Sequence, residues 1–190
     1  MTTGSRGRAG QVARFKPVHR GHAAVLEALV PRCESLLIGL GSANRHDLRN
    51  PWSANESAEM IRAVIGSPDH VRLVPVPDLG DGPRWSRMLA EAFGPLDVFV
   101  TANDWVHELM AAYYAVVHPV TLIPPERRVP IDGARVRRAL ARGEEWRALV
   151  PVAVGELICA RGWDARFRAE FGLATLALES PPSPPPGLLD

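Results

Sequence analysis

The chain has 190 residues, 46% of them hydrophobic and 23% charged, with a formal net charge of +1 at pH 7. That composition describes one globular domain with a core of its own and excludes a disordered chain. The near balance of charge argues against a protein that grips long polymer phosphates, so no nucleic-acid partner is expected.

No apolar run is long enough to span a bilayer, so no membrane partner is expected either. The opening MTTGSRGRAG carries arginines but no apolar stretch after them, which predicts no secretion signal and a cytoplasmic location. Cys33 and Cys159 lie far apart without CxxC spacing, so neither a disulfide framework nor a zinc site is expected.

In chain order, a flexible N-terminus over 1–10 precedes a short strand at QVARF, 11–15. Residues 22–33 place Val25, Leu26 and Leu29 on one helical stripe. ESLLIGLGS (34–42) is a nearly continuous apolar run, the pattern of a strand buried on both faces. After a polar loop, Ser53 and Glu56 have capping-box spacing before a helix that should stop at Gly66.

Residues 70–76 predict a third strand, and 83–93 a third helix with Pro83 in its first turn. A fourth strand is expected at 96–101, a helix at 104–114 and a fifth strand at 118–124. Helical segments then run to the end of a domain spanning 11–176, and a proline-rich tail follows over 177–190. Strands alternating with helices mean βαβ units and a doubly wound parallel α/β sheet, here with helices appended at the C-terminal end.

The segment that carries chemistry is RFKPVHRGH, 14–22. It lies between the first strand and the first helix, at the sheet edge where ligands bind in such folds. Gly21 lets backbone approach a ligand closely, and the helix N-terminus offers free N–H groups and a positive dipole end to an anion. His19 and His22 can face one point, and with Arg14 they supply donors to a phosphate whose charge grows during reaction. By themselves, two histidines three apart are also read as surface residues or as half of a zinc site. No third ligand stands at a suitable spacing.

RFKPVHRGH resembles the (H/T)xGH signature of the nucleotidyltransferase superfamily, in the form seen in archaeal-type nicotinamide-nucleotide adenylyltransferases. Three later segments resemble the same family in the same order: IGLGSAN with RNPWSANE, PVPDLGDGPRW, and VPIDGARVRRAL with GEEWRALVP. The resemblance implies a Rossmann-like fold and transfer of AMP from ATP to nicotinamide or nicotinate mononucleotide. Pyrophosphate would leave by direct displacement, with Mg²⁺ arriving on ATP. It also implies a homo-oligomer.

Carried over position by position, the resemblance implies that His19, His22, Arg14 and Arg137 act on the phosphates. Phe15, Pro17, Gly21 and Asn103 would contact ATP, as would Asp132, Gly133 and Val136 in the second motif. Ser42, Arg49, Asp78 and Trp85 would hold the mononucleotide, with the Trp85 indole stacked on the pyridine ring. Without the resemblance, Trp85 reads as core. The chain departs from the family pattern at four places: Asp132 and Ala134 replace its Ser and Thr, Gly82 its Asn, and Ser57 its Arg. These changes leave open another phosphorylated acceptor, or a nucleotide-binding protein with weakened turnover.

Overall fold

A computed structural model describes residues 7–178. Residues 1–6 and 179–190, on which most of the expected flexible N-terminus and proline-rich tail fall, lie outside the described residues. Five parallel strands form one sheet in the order β3-β2-β1-β4-β5. They are β1 (Arg8–Ala13), β2 (Ser35–Leu40), β3 (Val71–Pro75), β4 (Val98–Val100) and β5 (Val116–Val117). The order reverses direction at β1, so chain segments leaving β1 and β4 diverge and open a crevice between them.

Strand β2 shows why helices must cover both faces. Leu36, Ile38 and Leu40 pack in a cluster with Leu26 and Leu29 of α1 (Arg20–Leu29) and Ile61 of α2 (Ala54–Ile65). Leu37 points the other way, to Leu89 and Phe93 of α3 (Gly82–Phe93) and Met110 of α4 (Asp104–Met110). Successive side chains of a strand alternate faces, so an unbroken apolar run is what a two-sided core requires. Each such fully buried leucine contributes about 2 kcal/mol.

The first core layer is completed by α5 (Gly133–Arg142), α6 (Val152–Ala160) and α7 (Trp163–Phe167), and α8 (Leu173–Ala177) packs against α5. A π-helical turn, Arg168–Gly172, joins the last two. Arg166 of α7 reaches back to α2 and holds both carboxylate oxygens of Glu56, at 2.6 and 3.0 Å. The expected capping box is present: Ser53 Oγ accepts from the Glu56 N–H while Glu56 accepts from the Ser53 N–H.

Two strands differ from expectation. The first begins at Arg8 and ends at Ala13, because Arg8 to Ala13 pair with Ser35 to Leu40 along the whole of β2. Arg14 and Phe15 have already left the sheet, and residues 8–10 belong to it rather than to a flexible terminus. The fifth strand is Val116–Val117, not 118–124. Pro119 has no N–H for a ladder, and the His118 ring accepts the Val120 N–H, so the chain turns into a 3₁₀ segment instead. The C-terminal helical segments are present, with Pro151 at the N-cap position of α6 after a 3₁₀ turn at Arg147–Leu149.

The Ser53→Ala variant should lose about 1 kcal/mol of stability, the usual cost of deleting a side-chain N-cap. Urea unfolding checks this, and an unchanged midpoint would mean that the Glu56–Arg166 pair alone secures the start of α2.

Candidate active site

A cleft of about 1030 Å³ lies over the crevice between β1 and β4. Its wall brings together Arg14, Phe15, His19, Gly21, His22, Ser42, Asp78, Trp85, Asn103, Asp132, Gly133 and Arg137. Three sequence candidates are not on that wall. Val136 is fully buried in the core, Pro17 is buried behind the turn, and Arg49 is exposed on the loop after β2, where its N–H binds Asp47.

The turn between β1 and α1 is tightly specified. Phe15 has a positive φ of 54°, uncommon for a non-glycine residue, and the Lys16–Pro17 peptide is cis. His19 is the N-cap of α1, its Nδ1 accepting from the His22 N–H at 3.3 Å. A ring that accepts at Nδ1 carries its proton on Nε2, which leaves one N–H to donate. The His22 ring stacks on it, with centroids 3.7 Å apart and planes 21° from parallel. Burial pushes His19 down to about 4, against a smaller pull from the Asp132 charge. His22 is held well below its ordinary value, first by burial and then by its neighbour His19. Both rings are therefore held toward the neutral form.

The second motif closes the site from the other end of the chain. Arg137, on α5, is buried and donates from Nη1 to the Lys16 carbonyl at 2.7 Å. Gly133 makes this approach possible: a Cβ there would lie 3.0 Å from Arg137 Nη1 and 3.2 Å from the Lys16 oxygen. Asp132 caps α5, its Oδ1 accepting from the Arg135 N–H at 2.7 Å. Arg14 is exposed, and its positive charge is felt at His22, Lys16 and Arg137.

At the other end of the cleft, Lys16 was not legible from the sequence as a site residue. Its Nζ donates to the Ser42 carbonyl at 2.8 Å, and burial lowers the amine to about 8 despite the nearby Asp47 and Asp78 carboxylates. Ser42 itself has a φ of +53°. Asn44 ties this loop to the next, pairing with both the N–H and the carbonyl of Asp78 at 2.8 and 2.9 Å. Arg45, 3.7 Å from Asp78, lines the cleft where Arg49 was the expected cation. Trp85 is 8% exposed: it packs with Leu89 and Phe93, as the core reading expects, and it also forms cleft wall.

The match to the cytidylyltransferase-like family model covers residues 12–139. The nicotinamide-nucleotide adenylyltransferase of Archaeoglobus fulgidus is 34% identical over 160 residues, 80% of this chain and 90% of that protein. Those of Pyrococcus abyssi and Thermococcus onnurineus are 35% and 34% identical, each over 77% of this chain and 80% and 79% of their own. The chain belongs to the nicotinamide-nucleotide adenylyltransferase family, within the cytidylyltransferase-like group.

The fold agrees with that family. A bifunctional NMN adenylyltransferase/ADP ribose pyrophosphatase from Francisella tularensis, solved with AMP and a Mn ion, superposes with a TM-score of 0.69 at 16% identity. The superposition covers 95% of this chain and 58% of that one. Among the described residues, no helix is long and apolar enough to cross a membrane. Against the family pattern, Ser57 is fully buried in α2, with no hydrogen-bond partner for its hydroxyl among the described residues. The guanidinium near that helix start comes from Arg166 of α7 instead.

Neutral, buried histidines make stability depend on pH. The folded pKa of His19, about 4, lies below the ordinary 6.5, so its contribution is complete above pH 6.5 and is lost as pH falls to 4. The full span is worth about 3 kcal/mol, and His22 shifts in the same direction. Urea midpoints at pH 7 and pH 4.5 should fall further for the wild type than for His19→Asn, which keeps a capping side chain. Equal falls would assign the acid sensitivity elsewhere.

Proposed function

We propose that the protein transfers the adenylyl group of ATP to nicotinamide mononucleotide, forming NAD and pyrophosphate. The observation that carries this reading is the pair of stacked imidazoles at the start of α1, facing a cleft at the sheet's switch point beside Arg14 and Arg137. Identities of 34–35% over most of the chain to proteins named for this activity support it.

In this mechanism a 5′-phosphate oxygen of the mononucleotide attacks the α-phosphorus of ATP. The bond from that phosphorus to the bridging oxygen breaks, and pyrophosphate departs with the electron pair. The attacking oxygen is already anionic, so no general base is needed, and catalysis consists of positioning and charge stabilisation. His19 and His22 donate to the phosphate oxygens, the N-terminus of α1 adds its dipole, and Arg14 and Arg137 offset charge on the leaving group. Ser42 and Asp78 shape the mononucleotide end, while Trp85 supports the ring.

Mg²⁺ would be held by the phosphates of ATP and would supply charge neutralisation for the pyrophosphate. The donor set fits a metal delivered with the nucleotide. Asp78 is ion-paired with Arg45, and Asp81 and Asp132 each spend one oxygen capping a helix. Among the described residues, no cluster of three or more His, Cys, Asp or Glu stands ready to hold a metal.

Asp132 favours a second, weaker reading, a protein with reduced turnover. A capping carboxylate occupies N–H groups that a phosphate would use, and at about 5 Å its repulsion costs about 3 kcal/mol at an effective dielectric near 20. Asp132→Ser combined with Ala134→Thr should therefore lower the KM for ATP. Loss of activity with a raised Mg²⁺ requirement would instead make the carboxylate a metal ligand.

The direct test is NAD and pyrophosphate formation by the purified protein from ATP and nicotinamide mononucleotide, with nicotinate mononucleotide as the comparison. Absence of a dinucleotide product from both would overturn the assignment. In an active enzyme, His22→Ala should cut kcat roughly a hundredfold, the scale of one lost transition-state donor, with the circular dichroism spectrum unchanged.

A further inference from the structure

Trp105 is the most conspicuous side chain on the cleft wall to which the reading above gives no work. It stands in the first turn of α4 and is 55% exposed, whereas Trp85 beside it is 8% exposed. A single exposed indole on a protein surface needs no explanation. This one lines the cleft with Trp85, their ring centroids 6.0 Å apart and their planes inclined by 33°. The helix that carries it starts at a cap, Asn103 accepting the Val106 N–H at 3.0 Å.

Gly82, the first residue of α3, explains how the indole fits. A Cβ at position 82 would stand 2.9 Å from Trp105 Cζ2, closer than real Cβ contacts come, and 3.2 Å from a methyl of Leu109, a tight contact. Trp105 thus fills the volume that a side chain at 82 would take. The family pattern has an asparagine at this position, so here an indole stands where the pattern carries an amide.

We propose that Trp105 is a second ring-contacting residue of the mononucleotide end, and that Gly82 is the specificity determinant that admits it. This rests on the adenylyl-transfer reading for the identity of the ring. A third ring stacked between the two indoles would need their centroids roughly 7 Å apart, at contact distances of about 3.5 Å on each face. At 6.0 Å they make a continuous aromatic surface instead, and the ligand ring lies with its face on one indole and its edge on the other. An N-ribosylated pyridine carries a positive charge, which the face of an indole attracts. The side-chain amide of the family pattern is replaced by a cation–π surface.

The test is steady-state KM for both substrates in five proteins: wild type, Trp105→Ala, Trp105→Phe, Gly82→Asn, and Gly82→Asn with Trp105→Ala. Trp105→Ala should raise the KM for nicotinamide mononucleotide about tenfold, equivalent to about 1.4 kcal/mol, and leave that for ATP within about twofold. Trp105→Phe should restore most of the loss. Gly82→Asn should show a comparable loss, and adding Trp105→Ala to it should cost nothing further.

An unchanged mononucleotide KM in Trp105→Ala, or equal rises for both substrates, would overturn the role of Trp105. Wild-type values in Gly82→Asn would overturn that of Gly82. Should the wild type form no dinucleotide, the adenylyl-transfer reading fails by itself. Calorimetric titration of wild type and Trp105→Ala with nicotinamide mononucleotide then decides this proposal. Weaker binding in the variant upholds it, and equal affinity or no binding overturns it.

Discussion

The hydrogen bond from Arg137 Nη1 to the Lys16 carbonyl joins segments 121 residues apart and is buried. Taking a guanidinium out of water is costly, and burial lowers Arg137 to about 10, still far enough above neutrality to leave it charged. A carbonyl oxygen offsets part of that cost. The rest of the site follows from this one link. It fastens α5 to the turn after β1, so Asp132 and Gly133 stand opposite His19 and Gly21. It also leaves a positive charge at the base of the cleft, tied to a carbonyl oxygen rather than to a carboxylate.

Much of the fold was legible because the periodicities are strong. The run from Ser35 to Leu40 has one explanation, a strand with core on both faces, and both core clusters are there. Capping chemistry was equally readable at Ser53, a short polar side chain directly before a helical stripe with Glu56 three residues on. The fifth strand was not legible. Apolar residues at 120, 122 and 123 imitate a strand, but Pro119 and the His118 ring divert the backbone first. Which residues of 8–15 would pair with β2 depended on a register that no local pattern encodes.

The site was legible where it depends on motif residues and hidden where it depends on neighbours in space. His19, His22, Arg137 and Trp85 could be singled out from their segments. Lys16 sits inside the motif, yet only the fold shows that its amine reaches the Ser42 carbonyl rather than solvent. Arg49 and Arg45 are four residues apart on one loop. The choice between them was made by Asn44, whose side chain pins the loop to Asp78 and turns Arg45 toward the cleft. Trp105 carries no motif at all, and only its packing on Gly82 gives it meaning.

His19 shows how two demands narrow one position. Its Nδ1 receives the His22 amide and so starts α1, while its Nε2 hydrogen remains for a ligand. A replacement must offer an acceptor to the third amide of the helix and keep a donor for a phosphate. Threonine meets both conditions, because a hydroxyl can accept through a lone pair and donate its hydrogen at once. The alternation of histidine and threonine in the (H/T)xGH signature is then no conservative exchange of size or charge. The two side chains share a bifunctional hydrogen-bonding grammar, one lone pair for the helix and one hydrogen for the ligand.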